Sequence, residues 1–296
     1  MSALPAPFAP AAGPSDEALV ARAVAGEASA LDTLVRRHQR WLFHVAVRLV
    51  LSPQDAEDLA QETLLKAVTR LAQFEGRSAF RTWLYRILMR SFLDGKRRKM
   101  EQAITTFTAY GEELEAMPDQ PLHLAPALEP DRALLVEEAK VGCMVGMLLC
   151  LDRDQRAAYV LGEIAGAPSP VAAEILGIRP AAYRKRLERA RRDLTAFMNE
   201  RCGLQNPANP CRCSAKTRTF IREGWVDPER LKFTARRVAK VPAEAREHRD
   251  VLCTAEERFA AVLFRGHPVL PGPDLAARLR GLLEDPELRA RLARDA

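Results

Sequence analysis

Three absences narrow this 296-residue chain before any motif is read. The uncharged run Val141 to Leu151 is stopped by Lys140 and Asp152, well short of the ~20 apolar residues that a bilayer span needs. No transmembrane helix is expected. Six cysteines are too few, in a chain of this length, for a disulfide framework, and in a reducing compartment clustered thiols more often mean metal or redox chemistry. Catalytic signatures are also missing: there is no phosphate-cradling glycine loop, dinucleotide fingerprint, nucleophile elbow or His-Glu-x-x-His pair. An enzyme is therefore not expected. Met1 to Pro14 is rich in alanine and proline and has neither a basic start nor a continuous apolar stretch. It reads as a flexible leader rather than a secretion signal, which places the protein in the cytoplasm.

What is present points to a folded chain: 48% hydrophobic and 28% charged residues, with length for roughly two domains. The net charge of +6 is mild, but its distribution is not. Arg86 to Lys99 holds six bases against Asp94, a net of +5, and Arg179 to Arg192 holds seven against Glu188, a net of +6. Between them, Glu101 to Glu138 carries nine acids and one base, a net of −8. With Pro118, Pro121, Pro126 and Pro130 and no sustained period, residues 101–131 read as an acidic linker. Two basic modules on an acidic tether suit a nucleic-acid-binding protein.

The first module, 15–100, is helical throughout. Ser52-Pro53-Gln54-Asp55 combines an N-cap, proline at the first helical position and an acid three residues after the cap. In the helix that follows, Ala56, Leu59, Ala60, Thr63, Leu64 and Ala67 make an apolar stripe, and Asp58, Gln61 and Glu62 lie on another. That second stripe is either an ordinary solvated face or an acidic docking surface. The next helix, from about Ser78, buries Phe80, Leu84, Ile87 and Leu88 and extends Arg77, Arg81, Arg86 and Arg90 outward, ending in Lys96-Arg97-Arg98-Lys99. Aromatics beside arginines suit single-stranded DNA, where bases stack on rings and guanidinium groups hold phosphate. Trp83 and Tyr85 fit either that role or the core.

The second module, 132–198, has the shape of a helix-turn-helix: a supporting helix through Leu151, Ala158, Leu161 and Ile164, a short helix from Ser169 to Leu176, a turn at Gly177-Ile178, and a recognition helix from Pro180 to Leu194. Tyr183, Leu187, Ala190 and Leu194 form an inward stripe, while Arg184, Lys185, Arg186 and Arg189 spread around the groove-facing sides. Arginine there can read guanine edges or hold phosphate.

Asp55-Ala56-Glu57-Asp58-Leu59-Ala60-Gln61-Glu62, followed by Phe80-Arg81-Thr82-Trp83-Leu84-Tyr85-Arg86-Ile87, Asp94 and Arg97-Arg98, resembles region 2 of bacterial extracytoplasmic-function (ECF) sigma factors. Ala173-Glu174-Ile175-Leu176-Gly177-Ile178 with Arg184-x-Arg186-Leu187-x-Arg189-Ala190-Arg191 is similar to region 4 of the same family. The resemblance implies an all-α protein that binds RNA polymerase core through the clamp helices of β′ and the flap of β, and directs initiation at promoters. It makes Asp58, Gln61 and Glu62 the polymerase contacts. Arg77, Arg81, Trp83, Arg86, Arg90, Arg97 and Arg98 become the −10 contacts, and Arg179, Tyr183, Arg184, Lys185, Arg186 and Arg189 the −35 contacts. It also threads the acidic connector through basic channels of the polymerase, and adds an anti-sigma factor as partner unless the rest of the chain replaces one. The chain departs from the pattern at Ser91, where the family has asparagine, at Val171-Ala172 and at Pro180-Ala181-Ala182-Tyr183.

The extension, 199–296, lies outside the minimal family architecture. Cys202-x8-Cys211-x-Cys213 in a proline-rich loop offers three thiolates, which Cys253 or His248 could complete as a tetrahedral site for zinc or copper. Reduced structural cysteines and redox sensing are the alternatives. Cys143 and Cys150, within the apolar run, read as core residues. Helical periods at Ala255 to Phe264, Asp274 to Leu283 and Pro286 to Leu292 predict a small helical domain that packs on the sigma modules and gates them. Two other functions fit parts of the chain: a repressor or activator using the helix-turn-helix without polymerase, which has no need of the Asp58-Gln61-Glu62 face, and a thiol or metal enzyme built on Cys202, Cys211 and Cys213.

Overall fold

A computed structural model describes residues 13–96, 101–102, 106–122, 132–229, 231 and 273–284. The described elements are helical, and none of the described helices is long and apolar enough to cross a membrane. The chain divides into two units: residues 1–97, 165–184 and 271–296 form the first, and 98–164 with 185–270 the second.

In the first unit, α1 (Asp16–Val24) packs on α2 (Ala28–Val50), which packs on α3 (Pro53–Thr69), and α4 (Phe80–Asp94) closes the bundle. The apolar stripe expected on α3 is the one buried: Ala56, Leu59, Ala60, Leu64 and Ala67 meet a core that includes Leu34, Leu42, Leu49, Leu84 and Leu88. The predicted cap is present, with Ser52 Oγ accepting from Asp55 N at 3.2 Å and Pro53 opening the helix. Leu51 ends α2 in the left-handed region at φ 64°, which lets the chain reverse directly into α3. Asp16 ties α1 to α2 through Arg37 and His38. Burial opposes its charge, but these two partners outweigh burial and hold the carboxyl down at about 2.

Two later segments complete this unit. One is α8 (Ser169–Leu176), the short helix of the helix-turn-helix, which packs on α4. Its expected turn is seen at Gly177, where φ is 65° and Ile178 N donates to Ala173 O at 3.0 Å. The other is α11 (Leu275–Glu284), which lies on α2 and α3. Leu275, Ala276 and Leu279 form its buried stripe, and Asp274 Oδ1 caps it at Ala277 N, 3.1 Å away.

Part of the expected linker is folded into the second unit. Its middle carries a helix, α5 (Phe107–Ala116), with Tyr110, Gly111 and Leu114 buried, and the following Met117–Leu122 strand of chain is held by α10 (Cys213–Arg222): Gln120 N donates to Ala215 O at 3.0 Å and Thr219 Oγ1 to Pro118 O at 2.8 Å. Of the prolines that suggested a free tether, Pro118 follows the cap of α5 directly, and Pro126 and Pro130 lie outside the described residues. Glu101, counted among the acids of the tether, is buried between Arg153 and Arg156 of α7 (Arg153–Tyr159), at 3.1 and 2.9 Å. The rest of the core comes from α6 (Arg132–Cys150), the π turn Val160–Ile164 and α9 (Pro180–Arg201). Gly146 on α6 is required by a close approach, because a Cβ there would stand 2.5 Å from the hydroxyl of Tyr110. That tyrosine stacks on Trp225 at 6.2 Å, and Trp225 on Phe220 at 5.0 Å.

The extension therefore does not stand apart among the described residues. Its first part belongs to the second unit and α11 to the first. The predicted helices at 255–264 and 286–292 lie outside the described residues.

Candidate nucleic-acid interface

Burying its apolar stripe turns the other face of α3 outward. Asp58 and Glu62 are exposed and Gln61 is half-buried, so the three form one acidic face as their spacing implied. Glu62 is held by Lys66, whose Nζ lies 2.6 Å from Glu62 Oε1 and 2.9 Å from Ser91 Oγ. Ser91, the departure noted on α4, is buried and faces α3 through this bond.

On α4 the candidates separate by depth. Arg77 before the helix, Arg86 and Arg90 are exposed. Arg81 is half-buried, and burial lowers its guanidinium pKa. Trp83 is also half-buried, its ring 5.6 Å from Phe74 and 5.5 Å from Phe80, so it edges the core and leaves part of the indole to solvent. Tyr85 is fully buried, with its hydroxyl pushed above the usual range by burial, and belongs to the core. Arg86 Nη2 meets Glu174 Oε1 of α8 at 2.8 Å, and Arg90 pairs with Asp94 at 3.4 Å. Arg97 and Arg98 lie outside the described residues.

Around α9, Arg179, Arg184, Lys185 and Arg189 are exposed. Arg186 is half-buried and bound to Asp154 at 2.7 Å. Tyr183 is a correction: it is 1% exposed, because its position continues the inward stripe with Leu187, Ala190 and Leu194, and it cannot reach a DNA groove.

Cys143 is the functional candidate that sequence reading missed. It shares a cavity with Cys202, Cys211 and Cys213 instead of lying in the core with Cys150. Its signal was its place at the polar edge of the apolar run. Cys253 and His248 lie outside the described residues.

Among the described residues the elements are helical, and an exposed acidic helix face, an aromatic and arginine-bearing helix and a basic helix-turn-helix together are the layout of a transcription initiation factor. Residues 34–101 match Sigma-70 region 2, and 142–194 match Sigma-70 region 4. The RNA polymerase sigma factor NccH of Alcaligenes xylosoxydans xylosoxydans is 31% identical over 62% of this chain and 94% of its own length. The ECF RNA polymerase sigma factor SigM of Mycobacterium tuberculosis is 30% identical over 62% of this chain and 85% of its own. A solved structure of CnrH in complex with the cytosolic domain of CnrY is 27% identical, covering 62% of this chain and 97% of that one with a TM-score of 0.44. The chain belongs to the ECF family of RNA polymerase sigma factors.

Proposed function

We propose that Asp58, Gln61 and Glu62 dock the chain on the clamp helices of β′, that α4 captures the melted −10 element through Arg77, Arg81, Trp83, Arg86 and Arg90, and that α9 reads the −35 element through Arg179, Arg184, Lys185, Arg186 and Arg189 while its module meets the flap of β. The protein catalyses nothing itself and works with polymerase in the cytoplasm. The observation that carries this reading is the outward acidic face of α3, for which a DNA-only repressor has no use. Replacing Asp58, Gln61 and Glu62 together by alanine is expected to weaken core binding by about 100-fold or more and to abolish run-off transcription with purified core, while duplex DNA binding persists. Unchanged core binding would overturn it.

The extension regulates that docking. What supports this is the position of α11 beside the same face: Arg278 pairs with Glu57, the neighbour of Asp58, Arg280 pairs with Asp32, and Gln39 Oε1 accepts from Ala276 N at 2.9 Å. The arginines of these ion pairs are exposed and their carboxylates half-buried, so each pair contributes on the order of 1 kcal/mol and the restraint is modest and releasable. Removing residues 273–296 is expected to tighten core binding several-fold. No change would sink the gating role and leave the sigma function standing.

A further inference from the structure

The cavity of about 220 Å³ in the second unit is lined by four of the six cysteines, brought from three segments. Cys143 comes from α6, Cys202 directly follows α9, Cys211 lies in the loop that leads into α10, and Cys213 opens α10. The loop between Cys202 and Cys211 is folded back on itself. Asn206 N donates to Cys202 O at 2.9 Å, Asn209 Nδ2 to Asn199 O at 2.8 Å, and Arg212 Nη2 to Pro207 O at 2.8 Å. A parallel backbone β-bridge pairs Cys202 with Cys211, and Gly203 passes so close to the Cys211 carbonyl that no Cβ fits between them. The folded loop thus brings the backbones of Cys202 and Cys211 together.

We propose that Cys143, Cys202, Cys211 and Cys213 form a tetrathiolate site for a zinc-class divalent ion, α6 supplying the fourth ligand. Thiolate sulfur selects zinc and similarly soft ions, and four thiolates close a structural site. Among the described residues no three ligating groups already stand in coordinating positions, so the 203–210 loop tightens onto the ion as it binds. A divalent ion with four thiolates carries −2; of the charged residues that line the cavity, Lys140, Lys216 and Arg201 oppose that charge and Glu115, Asp119 and Glu200 share its sign. Because α6 opens the region 4 module, an ion held there ties the extension to that module.

The test uses the full chain purified anaerobically with reductant, loaded with zinc(II) or cobalt(II). One zinc per chain is expected, with a tetrahedral thiolate-to-cobalt charge-transfer spectrum. Cys143→Ser and Cys211→Ser should each reduce the charge-transfer intensity by about a quarter and weaken zinc binding by at least the roughly 10–100-fold that losing an outer-shell partner costs. Cys150→Ser should change neither. Helical circular dichroism of each variant separates ligand loss from unfolding, and Cys211→Ser, in the half-buried loop, tests the site even where Cys143→Ser fails to fold. Absence of stoichiometric zinc, a Cys202–Cys211 disulfide in the reduced preparation, or a cobalt spectrum untouched by Cys143→Ser in a folded chain would overturn the proposal.

Discussion

Each unit buries an arginine, and the two provide for its charge in different ways. In the second unit Arg156 meets the carboxylate of Glu101 and the carbonyls of Leu149 and Leu151 at 3.3 and 3.1 Å. In the first, Arg48 has among the described residues only the carbonyl of His44, at 2.9 Å, and burial lowers its guanidinium to about 10. The neighbouring His44 is driven down to about 3, by burial first and then by Arg48 and Arg40. One unit neutralises its buried charge with an acid. The other keeps an adjacent base neutral. The difference means that the second unit depends on one carboxylate, and the first depends on pH.

The sharpest way to break that contrast is Glu101→Ala. It leaves Arg156 buried without its carboxylate and should cost about 3–5 kcal/mol, seen by hydrogen exchange as loss of protection in α7 and α6 with α2 and α3 spared. Equal loss in both units would contradict the assignment of Glu101 to one of them.

Acid should do the reverse. His44 has a folded pKa of about 3 against an ordinary 6.5, so below pH 6.5 the unfolded chain takes up a proton that the folded chain refuses. Stability of the first unit therefore falls as pH drops from about 6.5 toward 3, by an amount on the order of a few kcal/mol. His44→Phe keeps an aromatic between Trp41 and Phe43 and should flatten that dependence in thermal melts taken across this range. A wild-type profile that is already flat there would show that His44 is not the acid-sensitive group.

The surfaces divide along similar lines, with smaller effects. Among the described residues Arg184, Lys185 and Arg189 make no ion pairs, whereas Arg86 is engaged by Glu174. Arg184→Ala and Arg189→Ala should each cost about 1–3 kcal/mol of promoter binding if they touch bases, and if they touch phosphate should lower the salt slope by about one apiece. Glu174→Ala frees Arg86 and should strengthen binding to single-stranded −10 DNA by less than about 1 kcal/mol, since both partners are exposed. Weaker binding would mean that Glu174 positions Arg86 rather than restrains it.

Much of this was legible along the chain because it is local. The Ser52 cap, the stripe on α3, the turn at Gly177 and the helix near 274–283 all follow from helical period and capping chemistry, which act within a few residues. The outward acidic face followed too, since burying one stripe exposes the other. Errors arose where a residue's partner lies far off in sequence. Glu101 reads as one acid among nine, and only Arg153 and Arg156, more than fifty residues on, make it a core residue. Tyr183 sits among arginines, yet its place on the inward stripe decides its burial. The acidic, proline-bearing stretch looked unstructured because its apolar side, Tyr110 and Leu114, is small and needs α6 and the aromatic pair Phe220–Trp225 to cover it.

The sequence by itself determined that this is a two-region sigma factor with an acidic docking helix, two basic helices and an added C-terminal segment, because each of those is a periodic pattern or an ordered motif. Only the tertiary structure decided what the added segment does with its surroundings: α11 on the helices that carry the docking face, and three of its cysteines beside Cys143 of α6. Helical period reports which side of an element is buried. Which distant element buries it depends on the return path of the chain, and no local pattern encodes that path.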